Sequence, residues 1–276
     1  MTKRSIAPPN VPEQWDLFGE RGSEYGGTAS EEPGIDPQAL DDQELIELVP
    51  KANLSNIHAL CSQITARNLK DAAVPGLVAL WCRFKGFGIA RALPEQRLAL
   101  QTLGEIGTPV AKAAISKILA AHDLPDSLLP IVLQAATTVT LSLPLGQITR
   151  WLEHDFPIVR ALAFTLIQTA NPPVHILETG LTDPDTSVRR AALVTTGNLG
   201  HHIAKPGLLA EFSKNPTGQI VRALLAIADE EIIVRVGRFA EENQSLQGFI
   251  VSELTSMDDL KATKIAQRIK SQMTQR

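Results

Sequence analysis

From Pro37 to Arg276 the chain alternates between two textures. Stretches with apolar residues at i, i+3, i+4 and i+7 are cut every 12 to 18 residues by Pro, Gly, Asn or Asp. Leu98 to Gly107 is one such stretch, closed by a glycine suited to a helix C-cap. Val110 to Leu119 follows, with Thr108 as N-cap and Pro109 at the first helical position. The two together read as a helical hairpin. No alternating strand pattern of comparable strength occurs, and the short runs Val132-Leu133 and Ile232-Ile233-Val234 lie inside longer helical periods. The pattern predicts an all-α chain.

A longer period lies above the helical one. The segment Leu181-Thr182-Asp183-Pro184-Asp185-Thr186-Ser187-Val188-Arg189-Arg190-Ala191-Ala192-Leu193, ending in Gly197-Asn198-Leu199-Gly200, has counterparts in Asp155 to Ala163 and in Asn215 to Leu225. Degenerate copies start at Pro94 and Pro125. With Arg97, Pro130, Arg160, Arg189 and Arg222 taken as equivalent, the spacings are 33, 30, 29 and 33 residues. A repeat of that length marks a stack of small units that cannot bury their apolar faces alone.

These motifs resemble the HEAT repeat, in particular the short bacterial kind found in phycobilin lyase subunits. The resemblance covers about residues 90–240, with 40–88 and 243–274 as terminal hairpins whose motifs are blurred. It implies an α-α superhelix, a solenoid of six or seven hairpins over residues 38–276. It also implies that the motif arginine reaches the acidic turn of an adjacent repeat, so that Arg160, Arg189 and Arg222 with Asp155, Asp183 and Asp185 form a series of ion pairs. Second helices are then expected on the concave side, carrying Lys112, Lys117, Arg150, His154, Lys205, Arg235 and Arg238.

Composition narrows the picture further. Aromatic residues are only 4% of the chain, so the core must be aliphatic, and thin side chains let helix axes approach closely. Residues 1–37 are rich in Pro, Gly, Ser and Glu and have too little apolar content to offset ordering entropy, so they read as a disordered acidic arm. Within it, Trp15, Leu17 and Phe18 form one apolar island flanked by Glu13 and Glu20, suited either to docking a partner or to pinning the arm to the chain's own body. Residues 1–50 hold 11 acidic residues against Lys3, Arg4 and Arg21, a net −8, whereas the remainder carries a net +4.

Chemistry is harder to find. The six histidines include no i, i+4 pair that could start a helical zinc site. No Gly-x-Ser-x-Gly turn is present, and Cys61 and Cys82 lie in apolar helical runs that suit buried, reduced thiols. The cluster Arg83-Phe84-Lys85-Gly86-Phe87-Gly88 reads as a helix stop with Phe87 capping a core layer, or as an anion contact. The adjacent pairs Glu230-Glu231 and Glu241-Glu242 diverge by about 100° on a helix and read as solvated faces. Lys261, Lys264, Arg268 and Lys270 follow Asp258 and Asp259 in an order that complements a helix dipole. No apolar run approaches the roughly 20 residues of a membrane span, and the N-terminus lacks the apolar stretch of a secretory signal, which points to the cytoplasm.

The expected function is therefore a non-enzymatic scaffold or adaptor, with no cofactor and no metal, that binds a protein partner bearing an acidic or extended segment. Nucleic-acid binding of the HEAT-like glycosylase type is an alternative, opposed by a pI near 5.9 and three tryptophans. A bilin-lyase-like accessory role is a further alternative, carried by repeat grammar alone. If the acidic arm masks the basic body, deleting residues 1–37 should strengthen binding of an acidic ligand; a titration giving equal affinity with and without them refutes masking.

Overall fold

The Asp183-Pro184-Asp185 turn shows how the sequence starts a helix. Asp185 takes an extended backbone and its carboxylate accepts from Ser187 N (2.8 Å) and Val188 N (3.4 Å), satisfying donors that the first helical turn leaves open. Thr217 and Asp229 cap the helices after them in the same way, and Thr108 accepts from Ala111 N behind Pro109. Gly107 ends its helix at φ +59°, a left-handed conformation that costs glycine little.

The computed structural model describes residues 36–83, 93–121 and 124–274. The expected arm over 1–37, with Trp15, Leu17 and Phe18, lies outside the described residues apart from its last two positions. So do Phe84 to Gly88, including the expected cap Phe87. Asp36 to Arg276 forms one compact unit. Among the described residues there are fifteen α-helices and no strand. They are α1 (Asp42–Leu48), α2 (Ile57–Ala66), α3 (Val74–Arg83), α4 (Pro94–Ile106), α5 (Pro109–Ala120), α6 (Leu129–Thr138), α7 (Leu145–Leu152), α8 (Pro157–Ile167), α9 (Val174–Leu181), α10 (Thr186–Asn198), α11 (Lys205–Lys214), α12 (Gly218–Ala226), α13 (Glu230–Glu242), α14 (Gln244–Ser256) and α15 (Leu260–Thr274). No helix among them is long and apolar enough to cross a membrane.

The helices form two layers. Each even-numbered helix from α2 to α14 packs directly on the next even one, in an unbroken row. Successive odd-numbered helices pack comparably only at α13–α15, with a lighter contact between α3 and α5. The difference follows from side-chain size. Gly104 of α4 lies against Thr138 and Ala135 of α6, and Gly197 of α10 against Ala223 of α12, so these axes come close.

The hairpin register differs from the expected one. Odd helices α7, α9, α11 and α13 each pack more extensively on the helix that follows than on the one before. The motif helices α8, α10 and α12 are thus second in their hairpins, not first. Geometry explains the shift: a four-residue turn such as 153–156 or 182–185 folds the motif helix straight back on its predecessor, whereas α8 leads to α9 through a 3-10 turn and Pro172-Pro173. Six hairpins run from α3–α4 to α13–α14, with α1 and α2 closing one end and α15 the other.

The expected series of ion pairs is mostly absent, and the turn sequences explain why. Arg160 makes the one full rung, a bidentate pair with Asp183 at 2.9 Å for both bonds, while its Nη1 donates to the carbonyls of His154 and Asp155 in its own turn. Arg189 repeats the second half of that pattern, donating to the Asp183 and Pro184 carbonyls. The next repeat has Asn215 where Asp183 would stand, so Arg189 has no carboxylate to cross to. Arg222 instead reaches Glu253 of α14 at 2.7 Å and lies 5.3 Å from the Phe249 ring centroid. Asp185 serves as a cap, and Asp155 contributes its carbonyl.

Other expectations are corrected at the surface. Cys61 is buried, and that burial pushes its thiol up, but Cys82 is exposed on the outward side of α3. Glu230 pairs with Lys261, and Glu241 with Arg268 at 2.7 Å, so these acids tie α13 to α15 and are not simply solvated. The apolar core forms two clusters that meet inside α10, one ending at Ala192 and the other beginning at Leu193.

Two substitutions test the packing and the rung. A Cβ on Gly180 would run into the Phe164 ring and Ala192, and one on Gly197 would lie 2.6 Å from Leu208 and 3.0 Å from Ala223. Gly180→Ala should therefore cost about 1–3 kcal/mol by overpacking, read as a lowered denaturation midpoint. Asp183→Asn should cost about 2 kcal/mol, since it leaves a shielded guanidinium without its carboxylate. The hydrogen bond from Arg160 holds the Asp183 carboxyl below its ordinary value. Its stabilisation is complete above the unfolded aspartate pKa of about 3.9 and fades as pH falls through the lower folded value. Acid titration of the variant should show a shallower loss of stability in that window than the parent chain.

Candidate functional site

Helices α3, α5 and α7 contain no Asp or Glu, yet they carry Arg83, Lys112, Lys117 and Arg150. All three belong to the odd layer, whose helices stand further apart. Between α3 and α5 the spacing leaves an open groove of about 600 Å³. Its walls are Val74, Val78 and Ala79 on one side and Val110, Ala113 and Ala114 on the other, with the Trp81 ring, Cys82 and Lys117 towards one end.

The groove exists because α5 has apolar residues on two faces. Ala111, Ile115, Ile118 and Leu119 face the core, and Val110, Ala113, Ala114 and Lys117 form a second stripe at i, i+3, i+4 and i+7. Val110 is 45% exposed, which is unusual for a residue of its type in a packed helix. On α3 the same doubling occurs, since Leu77 and Leu80 are fully buried while Val78 and Ala79 turn towards the groove. Sequence reasoning singled out the lysines here and missed the apolar walls. The available signal was the second stripe of α5, which a search for one core face per helix passes over.

The expected binding residues divide into three groups. Lys112 and Lys117 of α5 and Arg238 of α13 have no side-chain partner among the described residues. Arg150 lies with its Cζ 5.0 Å from the centroid of the Trp151 ring. The rest are engaged in the fold. Lys205 bridges Asp229 (2.6 Å) and Glu231 (3.1 Å); the Asp229 bond foremost raises its pKa. Arg235 donates to Ser213 Oγ at 2.8 Å. His154 accepts from Phe156 N at 3.1 Å through Nδ1, and its Nε2 stands 3.8 Å from Asp126. These seven residues sit in or beside the odd layer, the first helices of their hairpins, and not on the closely spaced row of motif helices.

Arg235 and Arg238 also line an open groove of about 660 Å³ with Glu230, Glu231 and Val234. Its charges are mixed, and Glu230 and Glu231 already hold Lys261 and Lys205. Field lines there close within the protein. At α5 neither lysine has a carboxylate partner among the described residues, and the nearest described acid in contact with the helix is Asp71, which accepts from Thr108 at its N-terminus. Arg83 is the exception on that face, donating to the Pro50 and Ala52 carbonyls beneath it. Among the described residues no group of three or more His, Cys, Asp or Glu stands close enough to hold a metal ion.

Chemically, the α3–α5–α7 face offers apolar contact, two uncompensated ammonium groups and a stacked guanidinium. That combination attracts carboxylates and buries apolar side chains beside them. Compared with known proteins, the chain is matched by no family model and by no curated protein.

Proposed function

We propose that this chain is a HEAT-like helical scaffold that binds a protein partner through an acidic segment, without catalysing a reaction. The observation that carries this reading is the lack of any carboxylate on α3, α5 and α7 beside Lys112 and Lys117, which have no side-chain partner among the described residues. Elsewhere cations stand among acids, and several are paired, as at Lys205, Arg222, Lys261 and Arg268. A face that keeps its positive charge unpaired retains attraction for an outside anion. Exposed pairs and single contacts of this kind contribute little affinity each but speed and orient encounter, so a partner with several carboxylates suits the face better than a single small anion.

The reading also accounts for the division of labour between the layers. The even row provides a stiff, closely packed spine, and the odd helices present faces and grooves upon it. A stack of this sort offers extended surface more readily than an enclosed reaction chamber.

The test is a charge reversal read in a native complex. Lys112→Glu combined with Lys117→Glu should weaken retention of the co-purifying protein partner by about tenfold or more, with a steep loss on raising salt. The helical circular dichroism signal should be unchanged, since neither side chain holds the fold together. Retention that survives the double reversal, or that disappears on nuclease treatment, rejects this reading in favour of another face or of nucleic acid.

A further inference from the structure

We infer that the groove between α3 and α5 is an anchor site for apolar side chains of an acidic segment in a partner protein. This rests on the proposed function and specifies where and how the partner is gripped. The shape of the groove is a separate observation, and the charge of Lys117 enters again in choosing the occupant. Val78 and Ala79 of α3 face Val110 and Ala113 of α5 across an open space of about 600 Å³, with the buried Trp81 ring and Lys117 at one end. From Val74 to Cys82 the α3 wall runs about 12 Å at 1.5 Å per helical residue. That length takes two apolar side chains placed four apart on a partner helix, which stand about 6 Å from one another.

The small side chains set the depth. Ala79, Ala113 and Ala114 leave room that larger residues would fill, in a groove open on its outer side among the described residues. Contrast the even row, where small residues are covered by the neighbouring helix. An apolar trough in water is a standing cost until something covers it, at roughly 25 cal/mol per Å² of apolar surface. Its surroundings select the occupant. Lys117 stands in the lining, so carboxylates beside the anchors are attracted and ammonium groups repelled. The occupant is thus an acidic, leucine-type segment, not a basic or uncharged one.

The experiment uses the full chain and a fluorescein-labelled peptide of about twelve residues, with two leucines four apart flanked by glutamates. Fluorescence anisotropy should show saturable binding, and the same peptide with lysine in place of glutamate should not bind. Ala113→Trp, which fills the trough from an exposed position, should weaken binding at least about tenfold; Lys117→Glu should weaken it about fivefold. If Ala113→Trp changes the thermal midpoint, Ala79→Trp tests the opposite wall. Lys112→Glu separates this inference from the reading beneath it. Weakening by Lys112→Glu with full affinity in both tryptophan variants overturns the groove and leaves the charged face standing. No effect from any of the four variants overturns both. Concentration-dependent self-association that Ala113→Trp abolishes makes a second copy the occupant, and stronger peptide binding after Trp15→Ala with Phe18→Ala makes it the chain's own acidic segment. Either result overturns an outside partner.

Discussion

Close approach of the even-numbered helices is the constraint on which everything else rests. Where α8 and α10 meet, Thr195 donates to the Phe164 carbonyl at 2.8 Å, a bond made where both groups are buried, and on the other side of α10 Gly197 lets Leu208 and Ala223 come close. Helices held that close on one side must stand further apart on the other, because their odd-numbered partners carry bulkier contacts such as Trp151 and Phe212. The spacing of the outer faces is a by-product of the packing of the spine.

Electrostatics then fixes local geometry more than it glues repeats together. Arg160 shows both roles at once: two bonds to its own turn carbonyls shape the corner, and two to Asp183 cross to the next hairpin. Arg189 keeps only the first role. Arg160 and Arg189 thus share the duty of satisfying the carbonyls left open at their turns, whereas Arg222 makes only a crossing bond, to Glu253 of α14.

Much of this was legible in the sequence. The helical period, the cap at Thr108, the C-cap at Gly107 and the roughly thirty-residue repeat all read directly, because each depends on neighbours in the chain. The hairpin register did not read. It depends on which of two loops brings helices together, and Pro184 or Pro157 announces a helix start without saying which helix lies alongside. The surface also resisted. Lys205, Arg235 and Glu230 look solvent-facing along the chain, and their partners sit some twenty to thirty residues away on other helices. The trough beside α3 was hidden for a different reason: alanine and valine at helical spacing look the same whether a neighbour covers them or not.

The meeting of the two apolar clusters inside α10 has a consequence for how such a chain changes over generations. Arg189 bonds only its own turn and Asp185 only its own helix, so no guanidinium–carboxylate bond crosses from α10 to the hairpin beyond it. Hairpins gained or lost beyond α10 would need matching of shape alone, as where Gly197 meets Leu208 and Ala223, with no charged partner to supply.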